Sequence, residues 1–406
     1  MTTRTRKPKP FTVPLTELEQ SAFCQTGSEL RTKTLAEEFN TGVTWQKVPI
    51  RYLKLSPDEI SEGIADAKAD LGSQLTILGH HYQRADVVQY ADFRGDSYML
   101  SQMAANEREA KYVAFCGVHF MAETADILTS DDQAVILPNL AAGCSMADMA
   151  KTEDVEDCWD DMSAVLGGEG EVVPVTYMNS AASIKALCGR NNGLVCTSSN
   201  ADAAFAWAFE RGVRVLFLPD QHLGRNTALK MGISEDDMLI WSPFKPLGGH
   251  SPDALRRAKV ILWEGHCSVH TRFTAAQIAD ARKSYPGLQV IVHPECTQEA
   301  VAAADYSGST ETIVRMVTDS PAGSSWGIGT EINLVNRLAQ ENPDKTVFCL
   351  DPIVCPCATM YRVHPAYLLW VLEGLRSGII INRIQVPQEI AVDARVALER
   401  MLDLQA

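Results

Sequence analysis

From Gln74 onward, short apolar runs alternate with longer, helix-like stretches. The runs include LTILG (75–79), YVAFCGV (112–118), AVILPNL (134–140), VVPVTYM (172–178), VRVLFLP (213–219), AKVILWE (258–264), LQVIVH (288–293) and KTVFCL (345–350). Continuous runs rich in β-branched residues predict strands buried on both faces, as in parallel sheets joined by crossover helices. DSYMLSQMAANEREA, NADAAFAWAFERG and TEINLVNRLAQEN predict helices between them. The economical solution is α/β, with three similar α/β/α domains on small parallel sheets around a pseudo-threefold axis and an active site at the centre. The expected boundaries are an extension over 1–45, repeats over 46–150, 151–270 (with an inserted loop) and 271–362, and C-terminal helices over 363–406 that pack on the body.

The threefold division rests on a repeat. His80 in GHHYQ leads through Gly95-Asp96-Ser97 to Cys144 in AAGCSMAD. His293 in HPEC leads through Gly308-Ser309-Thr310 to Cys357 in CPCATM, with the same separations of 17 and 64 residues. Ala91-Asp92 and Ala304-Asp305 also correspond. A looser middle copy runs from Tyr177 in TYMNS through Ser198 in TSSNA to Cys267 in GHCSVH. Ligands of parallel α/β sheets bind beyond the carboxyl ends of the strands, where these motifs stand. Residues two apart on an extended strand point the same way, so His80/Tyr82, Tyr177/Asn179 and His293/Glu295 are expected to share one space.

Hydrophobic residues at 46% and charged residues at 21% describe an ordinary soluble chain. A net charge of −15 disfavours nucleic acid as a partner. No apolar run is long enough for a membrane span, and the basic N-terminus lacks the apolar stretch of a secretory signal, so a cytoplasmic protein is expected. Eleven cysteines, an odd number in a large chain, argue against a disulfide framework. Most are expected to be buried apolar thiols. Cys144, Cys267 and Cys357, at matched repeat ends, suit an iron–sulfur cluster better than a structural zinc, which takes four ligands. Cys355 is then expected as a free thiol nearby.

Ser97, Ser198 and Thr310 are expected where helices begin; one alone would read as a plain cap, but three at matched repeat positions favour anion sites with free backbone N–H groups beside them. Glu295, alone among the convergent side chains in carrying a carboxylate, is the candidate general base, with a pKa raised by its closed surroundings. His119 and Glu123 are four residues apart on a helix but lack a third ligand nearby, so a structural role is expected. Asp220, His222 and Arg225 are expected to fix packing near the site.

Together GHHYQ, GDS, FCGVHFMAETADIL, AAGCSMAD, TYMNS, CTSSNA, LPDQHLGRN, GHCSVH, HPEC, GSTETI, GTEINLVNRL and CPCATM resemble the quinolinate synthase family in its longer bacterial form, over roughly residues 74–395. The resemblance implies condensation of iminoaspartate with dihydroxyacetone phosphate to quinolinate, phosphate and water, in de novo NAD synthesis. It implies one 4Fe–4S cluster on Cys144, Cys267 and Cys357 with one open iron. It further implies substrate contacts at His80, Tyr82, Ser97, Tyr177, Met178, Asn179, Ser198, His293, Pro294, Glu295 and Thr310, with Glu295, Tyr82, Tyr177, His80 and His293 catalytic. The aspartate-oxidising enzyme that supplies iminoaspartate is the implied protein partner. Two other readings remain open from the residues alone. One is an aconitase-like hydro-lyase, which would consume no triose phosphate. The other is an iron–sulfur sensor, which would need a nucleic-acid- or partner-binding segment that the chain does not display.

Overall fold

The computed structural model describes residues 22–25, 33–39, 43, 45–167 and 170–404. Three small sheets are built in succession. Leu75–His80 (β1), Phe93–Gly95 (β2), Tyr112–Cys116 (β3) and Ala134–Ile136 (β4) form the first. Val172–Tyr177 (β5), Leu194–Cys196 (β6), Arg214–Leu218 (β7), Met238–Trp241 (β8) and Val260–Trp263 (β9) form the second. Gln289–Val292 (β10), Tyr306–Ser307 (β11), Ser325–Gly329 (β12) and Thr346–Cys349 (β13) form the third. Arg383–Ile384 (β14) returns to the first sheet, antiparallel to β4.

The strand orders repeat as the sequence repeats. They are β2-β1-β3-β4 with β14 at the edge, β6-β5-β7-β9-β8, and β11-β10-β12-β13. All pairings except β4–β14 are parallel. In this order the chain leaves the first strand to one side and returns on the other. That creates a crevice at the carboxyl ends of the first and third strands of each sheet, the natural ligand position. The middle repeat is looser because β8 is inserted before β9, which lengthens the path to Cys267.

The recurring Ala-Asp pair has one physical role in both copies. Asp92 accepts from the Ile77 amide and Asp305 from the Val290 amide, each at 2.8 Å. Each carboxylate thereby satisfies an amide of the first strand of its sheet, the strand that leads to the motif histidine. The helices that follow are amphipathic. In Thr310–Asp319, Ile313 and Val317 lie one turn apart and are both buried against the third sheet. One apolar core runs through the first unit, one face of the second and the C-terminal helices, and the third unit has a core on each face of its sheet.

The extension expected over 1–45 contributes to that core where it is described. Phe23, Leu35, Val43 and Trp45 are buried, and Phe23 packs edge-on to Trp45. The rest of 1–45 lies outside the described residues, as do residues 168–169 of the expected inserted loop. The helix expected there is Thr152–Leu166. Pro365–Arg376 and Gln388–Asp403 are the expected C-terminal helices. Cys355 departs from expectation: it is joined to Cys24 in a disulfide, beside a bridge between Gln25 and Val354. This pairing depends on the extension returning across the third unit, which no local pattern encodes.

Candidate active site

The loops after the first, second and last strands of each unit meet around one cavity. It is lined by His80, Tyr82, Ser97, Cys144, Tyr177, Asn179, Ser198, Cys267, His293, Glu295, Thr310 and Cys357. Met178 and Pro294, expected as substrate contacts, do not line it. The Met178 amide bonds to Cys196 O at 2.8 Å and the Pro294 carbonyl accepts from Asn226. Residues at the second motif position converge, but through turns rather than strand alternation, since β1 and β10 end at His80 and Val292.

Those turns fix the histidines. His80 Nδ1 accepts from the Tyr82 amide at 3.1 Å, and His293 Nδ1 accepts from the Glu295 amide at 3.3 Å. With Nδ1 committed as acceptor, each neutral ring carries its proton on Nε2. Burial holds His80 well below the usual histidine range, aided by its neighbours His81 and Arg337. Burial and the adjacent His270 push His293 down to about 3. Both therefore face the cavity as neutral N–H donors. His293 Nε2 lies 3.2 Å from Ser198 Oγ.

A stability prediction follows from His293. Its folded pKa is depressed, so the unfolded chain binds a proton that the folded one refuses. The stabilisation is present above pH 6.5 and is lost as pH falls toward 3. Glu38 and Glu331, raised by burial to about 7, work in the opposite sense, so the wild-type slope is a difference. Comparing chemical unfolding of wild type and His293→Asn between pH 6.5 and 4 isolates the histidine. The variant's stability should fall less steeply by about 1.4 kcal/mol per pH unit. Parallel curves would show that His293 titrates normally in the fold.

The three hydroxyls divide from the caps beside them. Asp96 caps the helix Ser97–Asn106, Ser309 caps Thr310–Asp319, and Asn200 stands before Ala201–Phe209. Ser97 and Thr310 are thus first helical residues, and Ser198 sits in the turn ahead of its helix. None is the cap, which leaves their hydroxyls directed to the cavity. Thr310 Oγ1 lies 3.1 Å from Tyr82 Oη. Asn179 Oδ1 is buried there with no hydrogen-bond partner among the described residues. An orphaned buried acceptor is costly and points to a donor brought by a ligand.

Glu295 differs from expectation. Burial pushes its pKa up, but the His270 and His293 rings and hydrogen bonds from His270 and Tyr177 outweigh this and hold it below the usual carboxylate range. Its closest partner is His270 Nδ1 at 2.7 Å, both side chains being buried. His270 Nε2 lies 3.1 Å from Thr330 Oγ1 and 3.4 Å from Tyr82 Oη, which itself meets Thr330 Oγ1 at 2.7 Å. The His270 ring stacks on His293 with centroids 4.4 Å apart. Sequence reasoning missed His270 and Thr330, although both stand in motifs it used: His270 three residues after Cys267 and Thr330 in GTEIN. Tyr82 and Tyr177 are driven far above the usual tyrosine range by burial and by Glu295, so both stay protonated donors.

Each unit contributes one cysteine from the segment after its last strand. Cys144 and Cys357 precede the short helices Ser145–Asp148 and Ala358–Tyr361, while Cys267 precedes the turn His270–Arg272. Gly265 lets the Cys267 loop approach, since a Cβ there would stand 2.1 Å from the Pro219 carbonyl. The buried Glu331, also missed from sequence, accepts from the Cys357 amide at 3.1 Å and fixes that loop. Desolvation raises all three thiol pKa values, and Cys357 further opposes the ionisation of Cys144 and Cys267. Such a set rests as neutral thiols and becomes thiolate when a metal supplies positive charge. The ligand atoms of Cys267, His270 and Glu295 also lie within 4.8 Å of one another, a group that could hold a metal ion.

Other expected residues serve packing. Glu123 lies 3.7 Å from His119 and accepts from the Ala182 amide of the second unit. Asp220 caps Gln221–Lys230, and Asn226 on that helix donates to the carbonyls of Pro294 and Cys296 at 2.8 Å each. Among the described residues, no helix is long and apolar enough to cross a membrane.

Residues 62–403 match the family model described as quinolinate synthetase A protein. The quinolinate synthase of Corynebacterium glutamicum is 57% identical over 359 residues, covering 88% of this chain and 91% of its own. That of Herpetosiphon aurantiacus is 54% identical, covering 87% and 94%, and that of Geobacillus kaustophilus is 53% identical, covering 88% and 97%. With the threefold topology and the convergent motifs in place, these matches show that the chain belongs to the quinolinate synthetase A family.

Proposed function

We propose that the chain is a quinolinate synthase that condenses iminoaspartate with dihydroxyacetone phosphate, releasing phosphate and water, as a step of NAD biosynthesis. The observation that carries this reading is the single cavity that joins one cysteine from each unit to the Glu295–His270 pair and an unsatisfied Asn179. Cys144, Cys267 and Cys357 would hold a 4Fe–4S cluster, which supplies Lewis acidity at an iron without a protein ligand. In this reading iminoaspartate comes from an aspartate-oxidising enzyme, and the protein works in the cytoplasm.

The substrates are anionic, and the chain meets them with neutral donors. The Nε2–H groups of His80 and His293 and the hydroxyls of Ser97, Ser198 and Thr310 bind carboxylate and phosphate oxygens, and Asn179 Oδ1 accepts from an imine N–H or a substrate hydroxyl. The condensation needs protons taken from carbon beside a carbonyl and returned to departing oxygen. Glu295 stays anionic and keeps the His270 proton on Nδ1, leaving Nε2 as the base. That nitrogen exchanges protons with the cavity through Tyr82 and Thr330. Glu295 thus acts through His270, which reconciles its low pKa with a role in base catalysis. His270→Gln should lower kcat by roughly 10²-fold or more with iron content unchanged. A change confined to KM would make His270 a binding residue.

A second reading is favoured by the compact Cys267–His270–Glu295 group: a single metal ion at those three residues. Anaerobic purification with iron and acid-labile sulfide analysis, followed by quinolinate assay, separates the two. Iron and sulfide in equal amounts together with quinolinate formation support the cluster. One metal per chain without sulfide supports the mononuclear site. No quinolinate from the two substrates by iron-loaded protein would overturn the proposed activity.

A further inference from the structure

A second cleft lies on the outside of the middle unit, and it shares no lining residue with the central cavity. It has a volume of about 790 Å³ and runs between the helix Thr152–Leu166, the end of Ala182–Arg190, the end of Ala201–Phe209 and the last helix. Its apolar wall is Trp159, Met162, Val172 and Val173. Arg190, Arg211 and Arg400 also face it, together with Trp207.

The positive charge here is concentrated and weakly neutralised. The Arg211 guanidinium carbon stands 3.9 Å above the Trp207 ring, and that of Arg400 is 5.7 Å from the same ring. Arg400 donates to the Gly193 carbonyl at 2.6 Å, and among the described residues it forms no ion pair with a carboxylate. Burial and the neighbouring Arg211 both lower its pKa, the mark of like charges held together. Arg211 pairs with Glu210 and Arg190 with Asp393, each at 3.2 Å in solvent, where such pairs neutralise little. In a chain of net charge −15 this cluster stands against the background.

We propose that this cleft binds a small nucleotide, a planar aromatic base carrying phosphate. Guanidinium groups hold phosphate oxygens through paired N–H donors. Indole rings and guanidinium planes offer stacking faces to a base. The volume falls in the range of small-molecule sites, about 300–1,000 Å³. Inorganic phosphate would engage the arginines but leave Trp159 and the apolar wall in water. An extended nucleic acid would meet the carboxylates of the bordering helix Thr152–Leu166, which carries Glu153, Asp154, Glu156, Asp157, Asp160 and Asp161. This inference does not depend on the chemistry proposed for the central cavity.

The test is isothermal titration of the full-length, iron-loaded protein with NAD and with adenosine monophosphate, using inorganic phosphate and adenosine as controls. Saturable binding of at least one nucleotide is expected, with a dissociation constant below about 1 mM. Arg211→Gln and Arg400→Gln should each weaken it at least about tenfold, the effect of losing one charge-assisted contact. Quinolinate formation without added nucleotide should be unchanged in both, since neither residue touches the central cavity. Should Arg400→Gln fail to fold for want of its Gly193 contact, the exposed Arg211→Gln decides alone. Three results would overturn the proposal: no saturable heat with either nucleotide, affinities untouched by the substitutions, or equally tight binding of inorganic phosphate.

Discussion

Replacing Cys144, Cys267 or Cys357 singly by alanine is expected to yield a folded protein that has lost its iron and sulfide and its quinolinate formation. The three thiols come from three units yet line one cavity, so removing one leaves two ligands for a proposed cluster that takes three. Lewis acidity of a bound metal is worth several kcal/mol in a transition state. At about 1.4 kcal/mol per tenfold, turnover should drop by roughly a thousandfold or more. Cys355→Ala and Cys24→Ala remove the disulfide and should retain iron and activity, because Cys355 is bonded to Cys24 rather than facing the cavity. Retention of the cluster in Cys357→Ala with its loss in Cys355→Ala would show that the ligand assignment is wrong.

Glu295→Gln is expected to lower turnover by roughly 10²–10⁴-fold, the usual worth of general acid–base catalysis. The amide keeps the shape and can still accept from His270, but it cannot stabilise the imidazolium that forms when Nε2 takes a proton. The cysteines are untouched, so iron and sulfide should stay at wild-type levels. Turnover and metal content measured on one preparation separate the outcomes. Near-normal turnover would remove Glu295 from the mechanism. Loss of metal together with activity would favour the mononuclear site at Cys267, His270 and Glu295.

The sequence by itself determined eight of the strands, the α/β class and the threefold repeat, because buried parallel strands read as continuous apolar runs and equal spacings imply equal topology, whereas β2, β6, β8, β11, β12 and β14 matched none of those runs. It also brought His80, Tyr82, Tyr177, Asn179, His293, Glu295, the three hydroxyls and the three cysteines toward one cavity, through their common place after strand ends. It could not assign what depends on neighbours distant in the chain. Isolated burial of Glu295 argued for a raised pKa, but packing sets the His270 and His293 rings against it and reverses the direction. Matched positions in three repeats favoured a binding role for Ser97, Ser198 and Thr310 over plain caps, but only the fold placed Asp96, Ser309 and Asn200 in the cap positions. The Cys24–Cys355 link, the Glu331 hold on Cys357 and the return of β14 to the first sheet each join segments far apart in sequence. Local periodicity carries no record of such partners, so only the tertiary structure decided them.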